Sequence, residues 1–224
     1  MKVLVKKQSE LIIEKRCDID YHSDPIKLQI FNTTILKRID EVSKVIKENR
    51  NPSNDPEKEF KYIDISSIDI HIGRIENHRD LIGSEAPSRA RKIIKTNDLI
   101  VSTCRPTRGA IAIVDEVFND EICSTGFSVW RADHNVILPE YLHWALRLES
   151  TTEQFRKWST GSSYPAILDE DIAKTLIPVP NIKTQKKLVR LLNESIRKRN
   201  KIIASANEEM EKVFSFVKDE VREC

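Results

Sequence analysis

Glu59-Phe60-Lys61, with Asp55 just upstream, has the E-x-K spacing used by metal-dependent nucleases. That chemistry needs carboxylates converging at the ends of adjacent strands to hold Mg²⁺. Asp55 and Glu59 instead flank a proline-containing loop, so the spacing reads as coincidence. Ser159, Ser162 and Ser163 lie in "STGSSYPAI" without the G-x-S-x-G elbow that exposes a hydrolase nucleophile. With 5 glycines in the chain there is no P-loop and no G-x-G-x-x-G. The 5 histidines are scattered, and Cys17, Cys104, Cys123 and Cys224 form no C-x-x-C pair and no zinc spacing with a histidine. "NPSN" at residues 51–54 shares part of the N-P-P-Y/F loop of amino methyltransferases, but lacks the aromatic that stacks on a flipped base. The chain does not read as an enzyme.

What remains is chemistry of recognition. The net charge is +2, yet Arg74, Arg79, Arg89, Arg91, Lys92, Lys95, Arg105 and Arg108 crowd one stretch. Arginine clusters on a near-neutral chain suit local recognition of an anion such as phosphate. Arg74, Arg79, Arg89, Arg91, Arg105 and Arg108 are candidates for that role, and solvated surface charge is the plain alternative for each. For Arg105, next to Pro106, a structural anchor on a carboxylate is the competing role. Lys157, Ser159, Thr160, Ser162, Ser163 and Tyr164 form a second candidate patch. His71 and His78 read first as ordinary surface histidines, and Trp130, Trp144 and Trp158 as core or interface. A second basic run spans Lys183 to Lys201, with Glu194 its only acid.

Several elements must position these groups. Residues 1–35 make an N-terminal extension in which "KVLV" and "ELII" have the character of short strands. "NTTILKRIDEVSKVIKEN" has helical spacing at Ile35, Ile39, Val42 and Ile46. A loop with two prolines follows at "NRNPSNDPEK". "FKYIDISSIDI" alternates as a half-buried strand, "RKIIKTNDLIVSTC" places a Thr-Asn-Asp turn between β-prone runs, and "GAIAIVDEV" and "FSVWRAD" supply two more strands. "LPEYLHWALRLESTTEQFRKW" turns helical, with Pro139 in the first turn. "LDEDIAKTLIPVP" is an acidic turn feeding a strand. Cys104 and Cys123 sit in apolar runs and are expected to pack as small hydrophobes.

After Pro180 the pattern changes. Val189, Ile196, Ile203, Met210 and Val217 recur every seventh residue, with Leu192, Ala206 and Val213 at the partner positions and Arg199 interrupting. That is a heptad seam on a long helix, residues 181–224, which must bury its stripe against its own domain or, as the length favours, against a second helix or chain. No run of about 18 apolar residues exists, so no spanning helix is expected. The charged N-terminus is not a secretory signal, and the dispersed thiols need no disulfides. These features place the chain in the cytoplasm, away from membrane.

The ordered set "YIDISSIDI", "SRARKIIKTNDLIVSTCRPTRGAIAIV", "ICSTGFSVWRA", "PEYLHWALR" and "STGSSYPAILDEDIAKTLIPVPNIKTQKKLV" resembles the target recognition domain of type I restriction-modification specificity (S) subunits. "RPTRG" at residues 105–109 looks like the family's Arg-Pro-x-x-Gly turn, and "CSTGF" at 123–127 is similar to its Ser-Thr-Gly segment. "TGSSYPAI" resembles its Thr-Gly-Ser loop, and "IPVP" with Gln185 the start of its conserved helix. Where the family usually carries glycine before "DLIVST", Asn97 stands, a residue that tolerates left-handed φ. The resemblance implies an α+β fold: a recognition domain over 36–180 with a mixed, strongly curved β-sheet and flanking helices, then the long C-terminal helix. It implies a non-catalytic reader of double-stranded DNA, with the two patches as candidate DNA contacts: Arg74, Arg79, Arg89, Arg91, Arg105 and Arg108, then Lys157, Ser159, Thr160, Ser162, Ser163 and Tyr164. Arginine bonds guanine O6 and N7 bidentately, and hydroxyls grip phosphates. Such a reader binds no cofactor and positions a methyltransferase (M) subunit, which carries S-adenosylmethionine, and through it a restriction (R) subunit. Full S subunits hold two recognition domains and this chain has room for one, so a half-subunit homodimer is expected. Its seam is Val189, Leu192, Ile196, Ile203, Met210, Val213 and Val217. An assembly scaffold that reads no DNA, and a regulator that acts without an M subunit, are the rival readings.

Overall fold

The apolar positions of the segment Ile35–Ile46 are mostly β-branched, which fits strands as well as the helical spacing fits a helix. The computed structural model describes residues 35–161 and 163–222. The extension before Ile35 and the loop residue Ser162 lie outside the described residues. Instead of a helix, Ile35–Arg38 forms strand β1 and Ser43–Ile46 strand β2, joined by a 3₁₀ turn at Ile39–Glu41. Ile39 and Val42 are both fully buried at that turn. Ile and Val are stiff at χ1 and pack well on pleated surfaces. Partner strands far along the chain then fix the outcome, with Ile35 opposite Val179 and Val45 opposite Trp130.

The remaining strands are β3 (Glu59–Ile63), β4 (Ile68–Asp69), β5 (Arg74–Ile75), β6 (Arg79–Ile82), β7 (Ala90–Ile93), β8 (Leu99–Ser102), β9 (Ile111–Ile113), β10 (Ile122–Ser124), β11 (Phe127–Ala132) and β12 (Leu176–Val179). A mixed sheet runs β6-β3-β10-β7, its β3 and β10 parallel and its other pairs antiparallel. A second, antiparallel sheet runs β2-β11-β8-β9; β1 pairs β12, and β4 pairs β5 as a small hairpin. The class is α+β. The expected strand over "FKYIDISSIDI" stops at Ile63, because Asp64 turns the chain: its carboxylate accepts from the backbone N–H of Ser66 at 2.9 Å.

Both four-stranded sheets feed one core. Ile63 and Cys123 from the mixed sheet meet Ile100, Ala112, Phe127 and Val129 from the antiparallel one, with Ile68 and Ile75 from the hairpin. Strand alternation puts Phe60, Tyr62 and Ile122 on the other face of the mixed sheet, where they form a smaller cluster with Ala90. Cys123 is fully buried, as expected, and burial pushes its thiol up to about 12. Cys104 is exposed, against expectation, because its strand has ended and the chain is already turning. The Thr-Asn-Asp turn stands as read, with Asn97 at φ +70°.

The helical run after Pro139 breaks in two, α1 (Pro139–Leu146) and α2 (Glu149–Trp158). Across the break the Thr151 hydroxyl of α2 donates to the Ala145 carbonyl of α1 at 2.7 Å, which satisfies a carbonyl at the end of α1. α1 packs on β9, β11 and β12. A short α3 (Asp169–Ala173) precedes β12, and α4 runs over Ile182–Arg222. The chain divides into two compact units, one ending at Ile182 and one beginning at Lys183. On α4 the heptad residues Ile203, Met210, Val213 and Val217 are 40–56% exposed. No helix among the described residues is long and apolar enough to cross a membrane.

Candidate nucleic-acid interface

Two loops that are distant in sequence fold against each other at one end of β8. The first leaves β8 through Thr103, whose N–H and hydroxyl both donate to the Gly126 carbonyl at 2.8 and 2.9 Å. It then reaches Arg105, held at φ +48°, and a 3₁₀ turn at Pro106–Arg108 that packs on α2. The second loop leaves α2. Ser159 donates its backbone N–H and its hydroxyl to the Phe155 carbonyl, and Thr160 and Ala166 exchange two backbone bonds of 2.8 Å. Gly161 sits at φ +95°, where a Cβ would lie 3.1 Å from the Tyr164 carbonyl oxygen, so only glycine closes the loop without strain.

Three contacts tie the loops together. The Arg105 N–H donates to the Pro165 carbonyl at 2.7 Å, the Ile167 N–H donates to Thr103 at 2.9 Å, and the Arg105 guanidinium reaches the Ser163 carbonyl at 3.4 Å. The same guanidinium stacks over the Tyr164 ring, 4.6 Å from its centre. Arg105 is thus an anchor as the alternative role had it, but on carbonyls and an aromatic face instead of a carboxylate. Tyr164 is 78% exposed, and Ser163, Thr160 and Arg108 are exposed around it. Arg105, Arg108, Ser159, Thr160, Ser163 and Tyr164 are therefore brought to one composite surface. Lys157, half-buried on α2, lies one turn before it.

The other arginines do not converge. Arg74 spends its guanidinium on Asp115 at 2.6 Å. Arg91 folds back onto the Ala90 and Pro87 carbonyls at 2.7 and 3.4 Å. Arg79 is exposed on β6, the opposite edge of the mixed sheet from the β7 that carries Arg91, a separation of roughly 14 Å over three strand spacings. Arg89 is exposed in the turn before β7, its carbonyl accepting from Thr125 at 2.9 Å. The β3–β6 edge also carries a groove lined by Glu59, Asp80, Glu85 and Glu121. Lys61 donates to Asp80 at 3.1 Å and holds that carboxylate below its ordinary range. Asp55 and Glu59 join no group of three potential metal ligands among the described residues.

Sequence reasoning missed Arg147. Its guanidinium donates to the carbonyls of Ile70 and His71 at 2.9 and 2.8 Å and of Ile111 at 3.3 Å, clamping the β4–β5 hairpin to the end of α1. Burial lowers its pKa. Its neighbour His143 is buried at 1% exposure, its Nε2 unpartnered among the described residues. Burial first, and then the charges of Arg147 and Arg74, push this imidazole down to about 3. Gly73 makes room for both, since a Cβ there would fall 2.2 Å from the Arg147 guanidinium and 2.3 Å from His143 Nε2. No sequence signal marks this cluster, because its partners come from separate elements. Trp130 is core, its indole N–H donating to the Ser128 hydroxyl at 2.8 Å; Trp144 and Trp158 are half-buried under Arg147 and Lys174. His71 is exposed, while His78 packs edge-on against Phe118.

An α+β body bearing polar groups on tied loops, followed by a long helix, is the architecture of type I specificity domains. Residues 35–212 match the family described as the type I restriction modification DNA specificity domain, and the chain belongs to that family. It is 31% identical over 120 residues to the type I restriction enzyme HindI specificity subunit of Haemophilus influenzae, covering 53% of this chain and 25% of that protein. Among solved structures it is similar to the HsdS subunit of Thermoanaerobacter tengcongensis, with 35% identity, a TM-score of 0.68, and coverage of 84% of this chain and 49% of that one. A chain from a structure of type I restriction-modification complex assembly and conformational transition is 36% identical with a TM-score of 0.69, over 82% and 48% of the two chains. The S subunit of M. genitalium, 17% identical with a TM-score of 0.52 over 80% of this chain, shares the fold. The chain spans half or less of the length of these relatives.

Proposed function

We propose that this chain is a non-catalytic specificity component that reads one half-site of a bipartite duplex. It positions a methyltransferase subunit, which carries S-adenosylmethionine, and through it a restriction subunit. The observation that carries the reading is the composite surface of Arg105, Arg108, Thr160, Ser163 and Tyr164. It places a guanidinium, hydroxyls and an aromatic edge side by side on rigidly tied loops. Guanidinium groups read guanine edges, and hydroxyls and backbone N–H groups fix register on phosphates. Ser162, Lys157, Arg79 and Arg89 extend the candidate contacts, while Arg74 on β5 and Arg91 on β7 brace the framework through Asp115 and the Ala90 and Pro87 carbonyls.

Family membership and the exposed apolar seam of α4 support a reader that pairs through its long helix. Two copies pair through α4 along Val189, Leu192, Ile196, Ile203, Met210, Val213 and Val217, whose exposed members need a partner to leave water. The target is then one short sequence repeated in inverted orientation about unspecified bases. The decisive experiment expresses the chain with a methyltransferase subunit encoded beside it and maps methylated sites across the host genome. An inverted split motif is expected. An asymmetric motif removes the homodimer, and no methylation together with no selected duplex leaves the scaffold. Light scattering of the chain at micromolar concentration reads the dimer directly.

A further inference from the structure

The basic run of α4 is a surface. At 100° per residue, Lys183, Lys186, Lys187, Arg190, Arg197, Lys198 and Lys201 all fall within a sector of about 120°, and the heptad seam lies on the opposite side of the helix. All seven are exposed. The stripe extends along roughly 27 Å of helix at ~1.5 Å per residue. Its single acid is Glu194, which approaches Arg190 only to 3.8 Å. No apolar side chain falls in that sector between residues 183 and 201. Interfaces between proteins are built on apolar and aromatic centres and are depleted in lysine. A stripe of lysine and arginine without such a centre complements a polyanion. Lysine ammonium groups act there as point charges that bind phosphate without reading bases.

We infer that this stripe binds the phosphate backbone of duplex DNA outside the bases read by the recognition domain. It would supply affinity without sequence preference, on the face of α4 that pairing through the seam leaves free. The inference rests on the DNA-reading function proposed above, and the two can fail separately.

The test uses the full chain and a fluorescein-labelled 30-bp duplex of random sequence, titrated between 50 and 200 mM salt. The variant carries Lys186→Gln, Lys187→Gln, Lys198→Gln and Lys201→Gln, exchanges that keep helix propensity almost unchanged. Each phosphate contact contributes about 0.9 to the slope of log K against log salt. The four exchanges are expected to lower that slope by roughly 2–4 and to weaken binding more than tenfold at 50 mM salt. The pairs Lys186→Gln/Lys187→Gln and Lys198→Gln/Lys201→Gln are each expected to give about half the change, with circular dichroism as the check on the helix. A variant slope equal to the parent's overturns the inference and leaves the recognition surface standing. So does a lost capture of the methyltransferase subunit at unchanged slope, which makes the stripe a protein contact. A parent chain that binds no duplex at all sinks both.

Discussion

The Arg105 guanidinium lies 4.6 Å from the centre of the Tyr164 ring, and this stack joins the turn after β8 to the loop after α2. An exposed cation–π contact is worth about 0.5–1 kcal/mol, too little to hold the two loops together. The backbone bonds from Arg105 to Pro165 and from Ile167 to Thr103 do that. The side chains of Arg105 and Tyr164 therefore add little to the anchoring that the Arg105 backbone provides, and they can serve a ligand. Tyr164→Ala and Arg105→Ala are expected to leave the melting temperature within a few degrees of the parent and to weaken specific DNA binding by roughly tenfold, the scale of one good base contact.

Arg105→Gly separates function from framework. Its φ of +48° strains any residue with a Cβ by roughly 1 kcal/mol, and glycine removes that strain. The glycine variant is expected to unfold at an equal or higher denaturant concentration while losing DNA affinity like the alanine variant. A clear fall in stability would reassign Arg105 to the framework alone.

Arg147 holds three carbonyls, two of them at the tip of the β4–β5 hairpin. Hydrogen bonds involving a charged group contribute about 1.5–3 kcal/mol in favourable cases, so Arg147→Met is expected to destabilise the chain by roughly 2–3 kcal/mol. Lysine cannot span three acceptors with one ammonium, and Arg147→Lys is expected to recover little. Urea unfolding measures the loss. Hydrogen exchange localises it, with the Gly73 amide, bonded to Asp69 at 2.7 Å, losing protection first.

These two arginines mark where the sequence was legible. The Arg-Pro-x-x-Gly turn and the Thr-Gly-Ser loop were readable as loops because glycine, proline and hydroxyl residues declare their backbone needs locally. Asn97 was readable for the same reason, and its φ of +70° agrees. Ile35–Ile46 was not. Its apolar spacing fits a helix as well as a strand, turn and strand, and only pairing with β12 and β11 settles it. Arg74 and Arg91 looked like Arg105 on paper. Asp115, Ala90 and Pro87 absorb them, and no periodicity encodes such partners. Arg147 has no sequence signal, because the carbonyls it caps carry no residue identity.

His143 gives the fold an acid-side liability. Its imidazole is neutral and buried, faced by the Arg147 and Arg74 guanidinium groups, with Asp69 and Asp115 beside those two. With a native value of about 3 against an ordinary value of 6.5, the unfolded chain binds the extra proton first as pH falls. Its contribution is fully present above pH 6.5 and is lost progressively below it, with a limiting slope of about 1.4 kcal/mol per pH unit. His143→Gln is expected to flatten the stability profile between pH 6 and 4. An unchanged slope there would show that other groups carry the acid sensitivity.

Asp98 and Arg131 supply the sharpest asymmetry. The Asp98 carboxylate is wholly buried and accepts two bonds from Arg131, at 2.7 and 2.9 Å, and one from the Lys95 N–H at 2.9 Å. This fixes the turn before β8 against β11. The two charges differ in access to water, since the Arg131 side chain is 36% exposed and also nears Glu48. Arg131→Met therefore strands a buried carboxylate and is expected to cost about 3–5 kcal/mol. Asp98→Asn leaves a cation that solvent can reach and an amide oxygen that can still accept from Lys95, so its cost is expected to be smaller by 1 kcal/mol or more. The double variant removes the stranded charge and is expected to be more stable than Arg131→Met alone. Thermal unfolding of all four chains closes the cycle. Strict additivity would mean that the two side chains act independently, which their paired bonds exclude.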